Sequence, residues 1–100
     1  MEVDDVMLVL VTYDVSTIND AGKARLRQVA KICESYGKRV QNSVFECYVN
    51  ESQYRMMTHQ LDVVIDKKQD SLRYYSLGNS YATKVVHVGI KPSTAPDDIL

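Results

Sequence analysis

The most apolar stretch of the chain lies near its start, over residues 7–13, and stops abruptly at Asp14. Its residues are mostly aliphatic or β-branched and polar turn formers follow it, so the pattern predicts a β-strand over residues 7–14. Both alternating sets of side chains are largely apolar, which is typical of a strand covered on both faces. Helices of the same chain can cover one face, and the sheet of a second subunit is the simplest cover for the other.

Two later segments show apolar side chains at the three- and four-residue spacing of amphipathic helices. The first helix is predicted over residues 21–36, with Asn19 or Asp20 as its N-cap and Gly37 at the C′ position after its end. The second helix is predicted over residues 51–66. Both would bury their apolar stripe against a sheet.

Four shorter segments are rich in β-branched or aromatic residues, or alternate apolar with polar residues, and are predicted to be strands. They cover residues 39–41, 44–49, 71–77 and 85–88. The order strand, helix, strand, strand, helix, strand is that of the ferredoxin-like fold, an α+β arrangement with helices on one face of the sheet. We expect a homodimer packed through the sheets, in which the additional C-terminal strand, residues 85–88, pairs with the partner's sheet edge.

The length of 100 residues predicts one domain, which we place at residues 7–92 so that it includes the additional strand. Residues 1–6 are interpreted as an N-terminal extension and residues 93–100 as a C-terminal tail. Cys33 and Cys47 are too few for a disulfide scaffold and are expected to be small buried hydrophobic residues. No apolar run approaches the roughly 20 residues that span a bilayer, and the acidic start is unlike a secretory signal, so we expect a cytoplasmic protein without membrane contact.

A net charge of −1 conceals a basic segment between residues 21 and 41, which carries six bases and one acid, Glu34. Such a cluster in a nearly neutral protein predicts contact with a local anionic partner, such as the phosphates of a nucleic acid. A solvated helix face is the ordinary alternative. The predicted nucleic-acid-binding bases are Lys23, Arg25, Arg27, Lys31, Lys38 and Arg39.

Asp14 stands at the mouth of the predicted buried strand, where a carboxylate either caps a turn through backbone amides or binds a divalent cation. No second carboxylate lies beside it in the sequence, but a symmetric dimer presents each residue twice. Two facing carboxylates repel each other unless a cation lies between them, which would give a metal a physical reason to bind. Tyr13, beside Asp14, is the tyrosine for which we consider a polar role near the site.

Three segments of the chain resemble the second CRISPR-associated protein family, the small partner of the CRISPR integrase. They are LVLVTYDV at residues 8–15, GKRVQNSVFE at residues 37–46 and DSLRYYSLG at residues 70–78. The resemblance extends over about residues 7–92, and the pattern is most similar to the subtype I-C branch. It implies a ferredoxin-like homodimer in which Asp14, at the end of the first strand, is the catalytic residue and a metal ligand shared with the partner subunit.

The same resemblance implies a metal-dependent endonuclease that uses Mg²⁺ or Mn²⁺, cleaves RNA or double-stranded DNA and joins the CRISPR integrase in spacer acquisition. Tyr13, Ser43 and Phe45 would then shape the site around Asp14. Some members of the family act as scaffolds, so a non-catalytic dimeric adaptor that bridges integrase dimers and binds duplex DNA is the alternative. A toxin-like ribonuclease of similar fold is a third hypothesis, because a fold does not determine its function.

Overall fold

The computed structural model describes residues 5–15 and 19–90 of the chain. The first six predicted elements follow one another in the predicted order, and both helices end two residues earlier than the sequence pattern indicated. The elements are β1 (Met7–Val15), α1 (Asp20–Glu34), β2 (Gly37–Gln41), β3 (Val44–Val49), α2 (Glu51–Val64) and β4 (Asp70–Gly78).

Side-chain caps explain where the two helices begin. The Asn19 side chain accepts a hydrogen bond from the backbone amide of Gly22 at 2.8 Å, which makes Asn19, one of the two predicted candidates, the N-cap of α1. Asn50 and Gln53 form a capping box at the start of α2, where each side chain bonds the other residue's backbone amide. Neither α1 nor α2 has the length and apolar character of a membrane-spanning helix.

The four strands form one antiparallel sheet in the order β2-β3-β1-β4, which is the order that the predicted ferredoxin-like arrangement requires. β1 therefore lies inside the sheet, between β3 and β4. Side chains from one face of the sheet and from both helices enclose the core. It consists of Val9, Val11, Tyr13, Val29, Ala30, Cys33, Phe45, Cys47, Val49, Met57 and Leu61, all less than 5% exposed.

The face of the sheet opposite the helices, called here the open face, is only partly covered in the described chain. Leu8 is buried there, Leu10 is half-buried and Asp14 is exposed. The Tyr48 ring contacts that of Tyr81, from the segment after β4, with 5.6 Å between the ring centroids. Within one chain, the predicted cover on both faces of β1 is therefore complete only near its N-terminal end.

The predicted additional strand, residues 85–88, forms no strand ladder within the described chain. Its apolar side chains remain in solvent: Val86 and Val88 are 82% and 87% exposed, and Ile90 after them is 96% exposed. An extended segment gains the hydrogen bonds of a strand only at a free sheet edge, and neither edge of this sheet accepts it. Its pairing with a second subunit stays a prediction. The predicted C-terminal tail, residues 93–100, lies outside the described residues.

Gly37 opens β2 and does not occupy a helix C′ position, so the sequence interpretation of this glycine is wrong. α1 ends at Glu34 with Ser35 as its C-cap, and Gly37 does not have the positive φ that a left-handed cap requires. Close approach explains the glycine instead. A Cβ at Gly37 would stand 1.9 Å from the carbonyl oxygen of Glu46 and 2.6 Å from the Cα of Cys47.

We expect Gly37→Ala to lower the free energy of unfolding by about 2–3 kcal/mol, because the backbone of β3 must move to admit the methyl group. Lys38→Ala is the matched control, since Lys38 is the next residue of β2 and its side chain is 46% exposed. Urea denaturation of the two variants measures the difference. Equal stabilities would contradict the close approach as the reason for glycine.

Candidate functional site

Asp14 lies one residue before the end of β1, on the open face of the sheet. Alternation along the strand sets this direction, because Tyr13 and Val15 on either side pack against the helix-side core. The cross-strand partner of Asp14 is Ser71 in β4, which is also exposed. Among the residues that the structure describes, the Asp14 carboxylate has no hydrogen-bond or ion-pair partner. No described residue therefore occupies either of its oxygens.

The described residues bear differently on the two roles predicted for Asp14, turn capping and metal binding. Turn capping would use amides of the following loop, and residues 16–18 lie outside the described part of the chain. For metal binding, the described residues contain no group of three or more His, Cys, Asp or Glu side chains that would hold an ion. Mg²⁺ commonly uses one or two carboxylates and keeps water or phosphate oxygens as its other ligands. Asp14 thus fits a partial metal site that a second subunit and a substrate would complete.

The structure corrects the expectation that the rings of Tyr13 and Phe45 lie beside Asp14. Both rings are buried on the helix side of the sheet, and the Tyr13 hydroxyl donates a 2.8 Å hydrogen bond to Oδ2 of Asp70. Ser43 lies in the turn before β3, and its carbonyl oxygen accepts a hydrogen bond from the Tyr13 amide at 2.9 Å. Tyr13 and Phe45 therefore anchor this part of the sheet from the helix side, and Ser43 bonds the backbone of β1 next to Asp14.

Asp70 is the centre of a buried polar network that sequence reasoning missed. Its side chain is fully buried. It accepts hydrogen bonds from the Tyr13 hydroxyl, from Nε and Nη2 of Arg25 at 2.8 and 3.2 Å, and from the Asp66 amide at 3.0 Å. Burial alone would raise the pKa of Asp70, but the hydrogen bonds from Arg25, Asp66 and Tyr13 together outweigh it and lower that pKa.

Arg25 belongs to this buried network, which corrects its prediction as an exposed nucleic-acid contact. Its side chain is only 15% exposed, and its guanidinium binds both carboxylate oxygens of Asp70. Alternation along β4 could have revealed this pairing, because it places Asp70 on the buried face of the strand with Leu72 and Tyr74. A carboxylate on that face needs a partner, and a nearby helical arginine is the usual one.

This network gives stability a dependence on pH at both extremes. Because the pKa of Asp70 is lowered on folding, its contribution is present above the unfolded pKa of about 3.9 and is lost as pH falls through the folded value. Burial and then the hydrogen bond to Asp70 raise the pKa of Tyr13 to about 12. Its contribution is therefore present below pH ~10 and is lost as the pH rises from ~10 to ~12.

We expect Tyr13→Phe to reduce the loss of stability between pH ~10 and ~12, because the phenol that titrates there is gone. Urea denaturation over a pH series measures this. Tyr36→Phe is the control, since the Tyr36 hydroxyl donates to Gln60 at an exposed position. An alkaline profile identical in both variants would show that Tyr13 does not carry the effect.

The other predicted bases differ in their freedom to bind a ligand. Lys23, Arg27 and Lys31 are exposed on α1 and form no ion pair with any residue between 5 and 15 or between 19 and 90. Lys38 lies on the open face, 3.9 Å from a carboxylate oxygen of Glu46. The Lys38 side chain is 46% exposed, so this pair is weak and leaves Lys38 open to an anion.

Three of the predicted bases meet at one groove between α1 and β2, called here the basic groove. Arg27 and Lys31 line it from the helix and Arg39 from the edge strand, around a space of about 560 Å³ in which Glu34 is the acidic lining residue. The excess of cations favours an anionic chain such as a phosphate backbone. The groove lies on the helix side of the sheet, so one chain does not bring it together with Asp14.

Arg39 is partly engaged within the fold. Its Nε donates a 2.7 Å hydrogen bond to the carbonyl oxygen of Asn42, and its guanidinium carbon lies 5.5 Å from the centre of the Phe45 ring. The side chain is therefore held in place over the core. A positioned guanidinium at the rim of the basic groove loses less conformational freedom on binding a phosphate than a free one does.

Comparison with known proteins finds relatives over most of the chain. A family model described as CRISPR associated protein Cas2 matches residues 7–85. A protein of Halalkalibacterium halodurans named CRISPR-associated endonuclease Cas2 is 55% identical over 94 residues, which cover 94% of this chain and 98% of that protein. A protein of Nitratidesulfovibrio vulgaris named CRISPR-associated endoribonuclease Cas2 is 49% identical over 94 residues, covering 94% of this chain and 92% of that protein.

Solved structures agree with the sequence relatives. The crystal structure of Streptococcus pyogenes Cas2 at pH 6.5 has a TM-score of 0.75 and 52% sequence identity, and the match covers 83% of this chain and all of that one. A hypothetical protein from Thermus thermophilus has a TM-score of 0.70 and 32% identity, with 90% of this chain and 99% of that chain covered.

Proposed function

This chain belongs to the CRISPR-associated Cas2 family, and from that premise we propose that it is a metal-dependent endonuclease of CRISPR adaptation. Relatives named as an endonuclease and an endoribonuclease support phosphodiester cleavage, and their names leave RNA and DNA both open as substrates. The observation that carries the proposal is the exposed Asp14 carboxylate, which lies at the end of a central strand without a partner in the described chain.

We infer that the active form is a ferredoxin-like homodimer packed through the open face. Leu10 and Tyr75 are cross-strand neighbours on that face, and the second is 40% exposed. Apolar side chains that no helix covers favour a second sheet as their cover. The exposed segment 85–88 would gain its strand hydrogen bonds at the partner's sheet edge, as the sequence pattern predicts.

In this proposal, Asp14 of each subunit would hold a shared Mg²⁺ or Mn²⁺. When bound, such a cation polarises a scissile phosphate and lowers the pKa of a bound water. Asp14 contributes the negative charge that retains the cation, and its place on a hydrogen-bonded strand fixes the direction of that charge.

A cleavage assay with the purified protein tests this proposal. Single-stranded RNA and duplex DNA are incubated with Mg²⁺ or Mn²⁺ and with EDTA, over a pH series. Cleavage of either substrate that requires a divalent cation supports the nuclease. Intact substrates under every condition would overturn it.

The second candidate function is a non-catalytic adaptor that holds duplex DNA and bridges two dimers of the CRISPR integrase. The basic groove favours it, because binding there does not involve Asp14 on the opposite face of the sheet. A dimer would carry the groove twice at a fixed separation, and such phosphate contacts position a duplex without reading its sequence. Intact substrates together with tight duplex binding would favour this adaptor.

We expect the double variant Arg27→Glu and Lys31→Glu to weaken duplex binding at least tenfold at low salt, because two phosphate contacts become repulsive. The slope of log K against log salt should fall by about 2. The double variant Arg55→Glu and Lys67→Glu is the control with the same change in charge, since both bases are exposed outside the groove and pair with Glu51 and Asp62. Fluorescence anisotropy measures binding, and equal losses in both variants would show a non-specific effect of net charge.

A further inference from the structure

We propose that the buried carboxylate of Asp70 positions Asp14, holding the end of β1 through Tyr13 and Arg25. The inference rests on the proposed nuclease function and assigns Asp70 a role within it. None of the three side chains lies on the open face, so they are positioning residues that act through the backbone. Their effect on Asp14 follows from where their hydrogen bonds fall in the strand register.

The hydrogen bond between Tyr13 and Asp70 runs diagonally across two strands. In the register, Tyr13 lies opposite Leu72 and Val15 lies opposite Asp70. The Tyr13 hydroxyl therefore bonds, at 2.8 Å, the residue of β4 that lies opposite Val15 and not the one opposite Tyr13 itself. Asp14 is the residue between Tyr13 and Val15, on the other face, so the diagonal hydrogen bond spans the position of Asp14.

The same carboxylate joins this strand end to the rest of the fold. Two hydrogen bonds from Arg25 connect Asp70 to the N-terminal half of α1. A third, from the Asp66 amide, connects it to the segment between α2 and β4. Asp70 is fully buried and its side chain has partners on both oxygens. A satisfied buried network of this kind makes its members rigid relative to one another.

Rigidity matters here because Asp14 stands where a strand is about to end. Terminal residues of a ladder open locally more often than its centre does. A displacement of about 1 Å in a catalytic group can reduce turnover on the order of 100-fold. Fixing Tyr13 from the helix side limits the motion of Asp14 without placing any group in the substrate's path.

The test compares Tyr13→Phe with Tyr36→Phe, each of which removes one tyrosine hydroxyl that hydrogen-bonds another side chain. Tyr13→Phe should lower kcat about tenfold with KM for nucleic acid unchanged, because the contacts that bind substrate remain. Without metal or substrate, hydrogen exchange in the peptide that contains residues 13–15 should become about tenfold faster. Tyr36→Phe should change neither quantity. Arg25→Lys, which keeps the charge but loses the two-pronged contact, should resemble Tyr13→Phe.

Two results would overturn the inference. Wild-type exchange at residues 13–15 in a folded Tyr13→Phe variant would show that the network does not restrain the strand end. Faster exchange with wild-type kcat would show that the restraint is structural only. Failure of the proposed function is distinguished from both, because it appears as a wild-type protein that leaves every substrate intact or as an Asp14→Asn variant as active as the wild type, whereas the exchange measurement needs no activity.

Discussion

Asp14→Asn is expected to reduce the proposed metal-dependent cleavage on the order of 100-fold or more, with the fold and the proposed dimer intact. Asparagine has the same shape and keeps one oxygen, but it loses the negative charge that a divalent cation requires. Since Asp14 is exposed and bonds no other described residue, the free energy of unfolding should change by less than about 0.5 kcal/mol. Rates measured at saturating Mg²⁺, with thermal denaturation of the same samples, check both statements.

Asp62→Asn is the matched control for that experiment. Asp62 is an exposed carboxylate on α2 that pairs only with Lys67, so the substitution removes one charge away from the strand end. Cleavage at the wild-type rate in Asp14→Asn would place catalysis at another residue or in a contaminating nuclease. If duplex binding also survives in Asp14→Asn, the carboxylate and the basic groove serve separate functions.

Arg25→Met is expected to lower the free energy of unfolding more than the loss of any exposed charge does, because it leaves the buried Asp70 carboxylate without its charged partner. A domain of this size has only about 5–15 kcal/mol in total, so the loss of a buried ion pair is a measurable fraction of its stability. Methionine retains the length of the aliphatic stem, which isolates the loss of charge and hydrogen bonds. Urea denaturation at pH 7 measures the change.

Arg27→Met provides the comparison, because Arg27 is exposed on the same helix and has no ion-pair partner in the described chain. Its free energy of unfolding should change by less than about 0.5 kcal/mol. Adding Asp70→Asn to Arg25→Met should recover part of the loss, because the second substitution removes the unpaired buried charge. Equal stability of Arg25→Met and Arg27→Met would contradict a buried ion pair.

The sequence predicted the order of the elements because each segment is long enough for its own apolar spacing to identify it as a helix or a strand. The two candidate N-caps, Asn19 and Asp20, located the start of α1 to within one residue, and the end of the apolar run placed Asp14 at a strand terminus. These features are local, since each depends on residues within a few positions of one another. The Cas2 family assignment rested on the same strand end and on two other short segments.

The sequence could not show on which face of the sheet the Tyr13 side chain lies. Both faces of β1 are apolar, so alternation separated two sets of side chains without showing which set meets the helices. The buried network depends on pairs far apart in sequence, such as Arg25 and Asp70, 45 residues apart. The additional strand predicted at residues 85–88 is a related case, because the described chain offers this segment no strand to pair with.

The buried cysteines have a practical consequence for labelling chemistry. Cys33 and Cys47 are wholly enclosed, and the contact with Cys47, together with burial, raises the pKa of the Cys33 thiol. Alkylating reagents attack thiolates that they can reach, so neither native thiol reacts until the core itself opens. A cysteine introduced at a surface position such as Lys67 therefore accepts a fluorophore at one defined place. Labelling of the two native thiols, in contrast, measures global unfolding.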